Sequence, residues 1–446
     1  MGMDGKKILE RLGKLSQAEK MKDVKPLSYA LFPGYHCPLM GAMLTVNRIR
    51  DSVLMVLGPD ECSYYTKMAT GGSSTMAAQG CRVVSCVLDQ HDVTFGAQES
   101  LEEAFEELAA EEKPQAVFLV STCVPEITGD DVEAIAALAE KKHGFPVMVV
   151  HAENFKTDDH MPGIEHTMEV SARLMEAGPQ DLSVNVLGLR LGEFARTECS
   201  RFLKEAGVKT RMLLPGPCSV QEIREAPRAK LNLVVHPIGL PLARKMQELF
   251  GTPYVLFERL SDPDRILKAY EELFRALELP VPTGLVPLYT EALSRTQAAR
   301  ATLAGGTYFS GNTALCNYEL HAFLTEKLGL SPLLLQISDL DEISRPYRDI
   351  LLQQADPYVS RAANLGALKY LYPVLKPTYN LGAGNPMEML AAGTAMVSMM
   401  QAYHVLGFET NAMVCEAFLT AHGQREQFLA RQKAGVSHPL MKGGPV

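Results

Sequence analysis

Tryptophan is absent from the 446 residues, and aromatic side chains make up only 7% of them. No run of about eighteen apolar residues occurs, and the charged start Met1-Gly2-Met3-Asp4-Gly5-Lys6-Lys7 has no apolar stretch behind it. The sequence therefore predicts neither a membrane-spanning helix nor a secretory leader, and a cytoplasmic location is the expectation. Positive charge is scarce: 43 Lys and Arg stand against 52 Asp and Glu, for a net charge of -9. With a pI near 5.7 and no Lys/Arg cluster, nucleic acid and anionic membrane surfaces are excluded as main partners, since both call for basic patches.

Several chemistries are missing as well. There is no Gly-x-x-x-x-Gly-Lys-Ser/Thr run, so the chain is not expected to hydrolyse ATP through a P-loop. There is no His-Glu-x-x-His, Gly-x-Ser-x-Gly or Cys-x-x-Cys, which removes support for zinc hydrolysis, triad chemistry and dithiol redox chemistry.

What is present is the make-up of a globular protein, 47% hydrophobic and 21% charged, long enough for two or three domains. Residues 1–25 carry a short helical pattern at Ile8, Leu9, Leu12 and Leu15 and read as an arm. Apolar runs then alternate with amphipathic segments: a strand at 53–57, a helix over 99–112, a strand at 116–121, a helix over 131–142 and a strand at 146–151. Such alternation is the pattern of a parallel sheet covered on both faces. It restarts after Gly178-Pro179-Gln180, with strands at 183–188, 209–214, 231–235 and 254–257 and helices over 192–207 and 240–249. It restarts again beyond the hinge-like Pro280-Val281-Pro282-Thr283-Gly284. There 288–303 reads as a helix, 333–337 as a strand, and 306–312 and 376–386 each as a strand entering a glycine turn, with a helix over 313–328. The expected fold is α/β: three tandem doubly wound, Rossmann-like parallel-sheet domains at 26–180, 181–285 and 286–446, the last ending in a helix and tail. Ligands of such sheets bind at the carboxyl ends of the strands, so the place where the three units meet is the default crevice.

Nine cysteines, an odd number without an export signal, fit a reducing compartment. Cys81, Cys86, Cys199, Cys218, Cys316 and Cys415 read as packing residues. Cys37, Cys62 and Cys123 differ, because each lies among turn formers: Pro33-Gly34-Tyr35-His36-Cys37-Pro38, Gly58-Pro59-Asp60-Glu61-Cys62, and Ser121-Thr122-Cys123-Val124-Pro125. Each sits where a strand would hand over to a turn, so all three can project from one edge of one sheet. Thiolates suit iron-sulfur clusters, and three from one chain leave a ligand set that a partner must complete. Asp158-Asp159-His160 could bind a metal but reads as solvated surface, and the turns at Gly71-Gly72 and Gly382-Ala383-Gly384 are weak as phosphate loops.

Cys-Pro-Leu-x-Gly-Ala at Cys37, Gly-Pro-x-x-Cys ending 25 residues on, and Ser-Thr-Cys-x-x-Glu-x-x-Gly-Asp-Asp with its cysteine 61 further together resemble the component 1 proteins of nitrogenase and their nitrogenase-like relatives. Three tandem α/β units are also that family's architecture. Val93-Thr94-Phe95-Gly96-Ala97, His236-Pro237-Ile238-Gly239-Leu240, Lys376-Pro377-Thr378-Tyr379-Asn380-Leu381-Gly382 and Leu406-Gly407-Phe408-Glu409 look closer to the β-type than to the α-type subunit. The α-type subunit carries a cysteine for its catalytic cluster in the loop occupied here by Pro237. His236 and Cys316 are the nearest substitutes, and His236 reads as a structural residue beside a proline turn.

The resemblance implies that Cys37, Cys62 and Cys123 hold half of an iron-sulfur cluster, 8Fe-7S of P type or alternatively 4Fe-4S. The cluster would lie at the interface with an α-type partner in an α2β2 heterotetramer. Gly34, Gly58 and Gly129 would let backbone N–H groups approach it. Asp130 and Asp131 would cap the following helix, while Ser121 and Glu126 lie near Cys123 without an assigned role. Electrons would come from a separate ATP-dependent iron-sulfur reductase and continue to a catalytic cluster on the partner, this subunit of the oxidoreductase conducting and scaffolding. The chain is short for a nitrogenase β subunit, and methylthio-alkane reductase is the expected branch by elimination. A non-catalytic scaffold for metal-cluster cofactor assembly, a tetrapyrrole reductase subunit and a cluster-free paralogue are the alternatives. No catalytic residue is singled out.

Overall fold

The computed structural model describes residues 4–29, 37–71, 81–153, 155, 159–311, 313, 315–361, 365–382 and 384–434. Gly34, Gly72, Asp158 and Ala383, named above, lie outside them.

Three all-parallel sheets organise the chain. The first contains β1 (Ser52–Gly58), β2 (Arg82–Val87), β3 (Ala116–Ser121) and β4 (Val147–His151) in the order β2-β1-β3-β4. The second contains β5 (Asp181–Leu187), β6 (Lys209–Leu214), β7 (Ala229–Val234) and β8 (Tyr254–Leu256) in the order β8-β7-β5-β6. The third contains β9 (Thr307–Ser310), β10 (Ser331–Ile337), β11 (Tyr358–Arg361), β12 (Tyr379–Leu381) and β13 (Ala395–Val397) in the order β11-β10-β9-β12-β13. The α/β fold of several Rossmann-like units is thus present.

The sequence dictates the central strands directly. Every residue of β1 and β3 is buried, because both faces of the first sheet are covered. Leu54, Val56, Phe118 and Val120 enter one core, and Val53, Met55, Leu57, Val117 and Leu119 the other. The edge strand β2, half exposed, lacks the continuous apolar signal and was not foreseen. Two expected helices are shorter than their pattern. A 3-10 turn at Phe194–Arg196 precedes the helix Glu198–Glu205, which begins where Thr197 accepts from Ser200 N–H at 3.2 Å. The helix expected from 313 begins at Tyr318, where Asn317 accepts from Leu320 N–H at 2.9 Å.

The arm is no loose appendage. Helix α1 (Gly5–Arg11) and the segment after it bury Ile8, Leu12 and Leu27 with Phe309, Leu334 and Tyr372 of the third sheet's surroundings. Backbone bonds from Leu15 N to Pro357 O, Val359 N to Gly13 O and Arg361 N to Lys25 O, each 3.0 Å, cover the outer edge of β11. An edge that would otherwise offer free backbone groups is closed.

Helix α2 (Pro38–Val46) feeds β1 through a short connection, so its amino end lies at the carboxyl edge of the first sheet. Helices α3 (Asp60–Gly71) and α4 (Gln90–Phe95) follow β1 and β2, α5 (Gln98–Glu111) covers the sheet, α6 (Cys123–Thr128) follows β3, and α7 (Val132–His143) precedes β4. Helix α8 (Met161–Val170) packs on α2. The last helix, α9 (Phe408–Lys433), is joined to the second unit by Glu198, which accepts from Phe408 N–H at 2.9 Å and Tyr270 O–H at 2.8 Å. No helix among the described residues is long and apolar enough to cross a membrane.

Candidate cluster-binding edge

The three singled-out cysteines all stand at helix amino ends on the carboxyl edge of the first sheet. Cys62 lies in the first turn of α3 and Cys123 opens α6, both just beyond central strands. Cys37 is the N-cap of α2, reaching the same edge because its helix runs back toward the start of β1. All three are half-buried, and no disulfide joins any of the nine cysteines.

The Cys62 thiol feels the other two. Burial pushes the Cys62 thiol up, and the charges of Cys37, Cys123 and Glu61 push it further. A set of soft donors crowded enough to repel when ionised is what a cationic centre relieves. The hydroxyls of Ser63 and Ser121, next along the chain from Cys62 and at the end of β3, are buried without a partner. Among the described residues no three His, Cys, Asp or Glu side chains enclose a point fit for a single ion. Three thiols are the donor type that iron-sulfur clusters take, and they stand on one edge of the sheet.

Nearby residues have roles within the chain itself. A Cβ on Gly58 would lie 2.0 Å from Thr122 Oγ1, whose hydroxyl donates to Leu57 O at 2.9 Å; the missing side chain admits Thr122. Gly129, with φ of 81°, is the left-handed cap of α6. Asp131 caps α7 as foreseen, accepting from Ala134 N–H at 3.0 Å, whereas Asp130 accepts from Ala97 N–H at 2.7 Å. Glu126 lies 2.6 Å from His151 Nδ1, a histidine the sequence reading missed although it is the polar end of an apolar strand.

The match to known proteins is broad. The family model of the nitrogenase component 1 type oxidoreductases covers residues 37–408. The chain belongs to this family. Among relatives, the nitrogenase iron-molybdenum cofactor biosynthesis protein NifE of Clostridium pasteurianum is 31% identical over 49% of this chain and 49% of its own. The nitrogenase molybdenum-iron protein alpha chain of Methanosarcina barkeri is 27% identical over 52% and 46%. The chain thus spans about half the length of the curated relatives it matches. In fold, nitrogenase Cp1 at pH 5 aligns with 93% of this chain and 92% of that chain, at 19% identity and a TM-score of 0.61.

For a component 1 type chain, the turn after β7 is the second place of interest. His236 Nδ1 accepts from Ile238 N–H at 3.3 Å, and burial followed by the charges of Arg190 and Arg259 pulls the ring down to about 3. It is a neutral structural residue. Arg259 is buried with its Nε unpartnered, and Arg190 donates to His160 Nε2 at 2.9 Å, so two guanidinium groups act on His236. His160 also contacts Asp159 at 3.1 Å. Cys316, read as a packing residue, lies between β9 and the helix from Tyr318; the residue is exposed but its thiol is turned inward and raised by burial, its sulfur 3.2 Å from Ser310 Oγ and 3.9 Å from His321 Nε2.

Proposed function

We propose that this chain is the β-type, cluster-holding subunit of a nitrogenase-like reductase. The observation that carries the reading is the placement of Cys37, Cys62 and Cys123, all half-buried, at three helix amino ends of one sheet edge, near enough that the charges of Cys37 and Cys123 help to raise the Cys62 thiol. An iron-sulfur cluster, 8Fe-7S of P type, would be held there by those three sulfurs and supply one-electron storage and transfer. The chain's own part is to bind it, to leave a side open for a second set of thiolates, and to shield it.

An exposed apolar rim supports completion by other chains. Tyr64 and Met68 on α3, Phe95 on α4 and Ile127 on α6 are 56%, 61%, 76% and 71% exposed. An α-type partner in an α2β2 assembly and a separate ATP-dependent reductase are the occupants proposed for it. The division at residues 25, 180 and 285 into an arm and three domains belongs to the same reading. Thioether reduction in the cytoplasm, as by methylthio-alkane reductase, follows from the resemblance, and no described residue selects a thioether.

A second reading, a scaffold on which a metal-cluster cofactor is assembled, is favoured by the similarity to NifE cofactor biosynthesis proteins and by the two guanidinium groups of Arg190 and Arg259 acting on His236. Without a cysteine in the 236–240 turn, an anionic cargo would be held by charge and so be released to an acceptor.

One preparation tests both. The chain is co-purified anaerobically with its partner, and iron and acid-labile sulfide are counted. About eight irons per pair at this edge support the P-type site, about four the smaller cluster, and none overturns the cluster reading. Cys62→Ala is expected to lose the cluster absorbance and reductase-dependent turnover while keeping its far-UV spectrum. Transfer of cofactor to an acceptor protein without turnover would decide for the scaffold.

A further inference from the structure

His151 ends β4 between two acids. Its Nδ1 lies 2.6 Å from Glu126 Oε1 on α6, and its Nε2 meets Glu133 Oε1 on α7. From α8, His166 Nδ1 lies 3.2 Å from the His151 carbonyl oxygen, and from β3 the residue opposite in register is the uncharged Ser121. A neutral imidazole has one N–H and an imidazolium two, so donating to both carboxylates requires the protonated ring. Burial works against that charge, but the hydrogen bonds to Glu126 and Glu133 and then their charges outweigh it and raise the ring above its ordinary value.

The helix that receives this contact is the one Cys123 opens. It has only six residues and buries Pro125 alone. At its amino end Thr122 is tied to Leu57, and at its carboxyl end Gly129 turns the chain away. Between those ends, Glu126 ties the helix to the end of β4.

We propose that His151 is a positioning residue which, by bridging Glu126 and Glu133, anchors α6 and so fixes Cys123, and that electron uptake at the cysteine edge is accompanied by proton uptake on this ring. The proposal rests on the cluster reading above. The electron comes from an external one-electron donor such as dithionite and the proton from solvent; added negative charge at the edge favours the imidazolium. Loss of the proton leaves one N–H for two carboxylates, and one tie is released.

The test is a redox titration of the iron-loaded complex between pH 6 and pH 9, followed optically. The midpoint is expected to fall as pH rises, by up to about 59 mV per unit where one proton accompanies one electron, a tenfold change each. In His151→Gln, with iron retained, the dependence should be lost. Glu133→Gln, at the exposed outer end of the bridge, should move the sloping region to lower pH. Equal slopes in wild type and His151→Gln, or a flat wild-type profile, would overturn the proposal. Should His151→Gln fail to hold iron, an unchanged profile in Glu133→Gln overturns it. If no form holds iron, it is the cluster reading that has failed. The anchoring is then read from hydrogen exchange over 123–129 at pH 6: faster exchange in His151→Gln supports it, unchanged exchange overturns it.

Discussion

Glu258, just past β8, shows what a single crowded carboxyl does to stability. Burial, with the charges of Glu319, Asp341 and Asp339, pushes it up from 4.5 to about 7. Between those values the folded chain keeps a proton that the unfolded chain has released, so this group's contribution to stability is lost as pH rises through the window. Glu258→Gln has no such loss. Its stability relative to the parent chain should therefore grow from pH 5 to pH 8, by no more than about 3 kcal/mol, as read by urea unfolding at the two values. At this scale the sequence was readable where chemistry is local to the chain. The three cysteines announced themselves by their turn-forming neighbours. Gly58 did not, since its purpose depends on Thr122, 64 positions away, and the bridge at His151 depends on two acids brought in by other helices.

Helices α2 and α8 cross with their backbones in contact. A Cβ on Gly41 would lie 1.9 Å from His160 O, and one on Gly163 would lie 1.8 Å from Pro38 O. Both partners are main-chain atoms, which cannot swing aside as a side chain can. Gly163→Ala is expected to push α2 outward at the residue next to Cys37, costing about 1–3 kcal/mol in thermal melting and lowering the iron bound at the cysteine edge. Element boundaries were legible where apolar runs were long, as in β1 and β3. They failed where a cap cut a helix short, at Thr197 and Asn317, and where an edge strand needed no continuous apolar run, as in β2.

At the scale of the whole molecule, the repeated alternation of strands and helices revealed the α/β architecture, because each central strand is buried on both faces. The docking of the arm was not revealed. Its leucines mark an amphipathic segment without saying which of three similar sheets receives it. Removing residues 1–27 uncovers the outer edge of β11 and the apolar surface around Phe309 and Tyr372, and the truncated chain is expected to self-associate, as measured by light scattering against the full chain.

The arm also sets an order of events. Residues 13–25 leave the ribosome long before the strand they pair with, at 358–361, which lies more than three hundred residues further along. Until then the segment has no edge to pair with, so the arm docks, and the outer edge of β11 is closed, only once the third sheet is nearly complete.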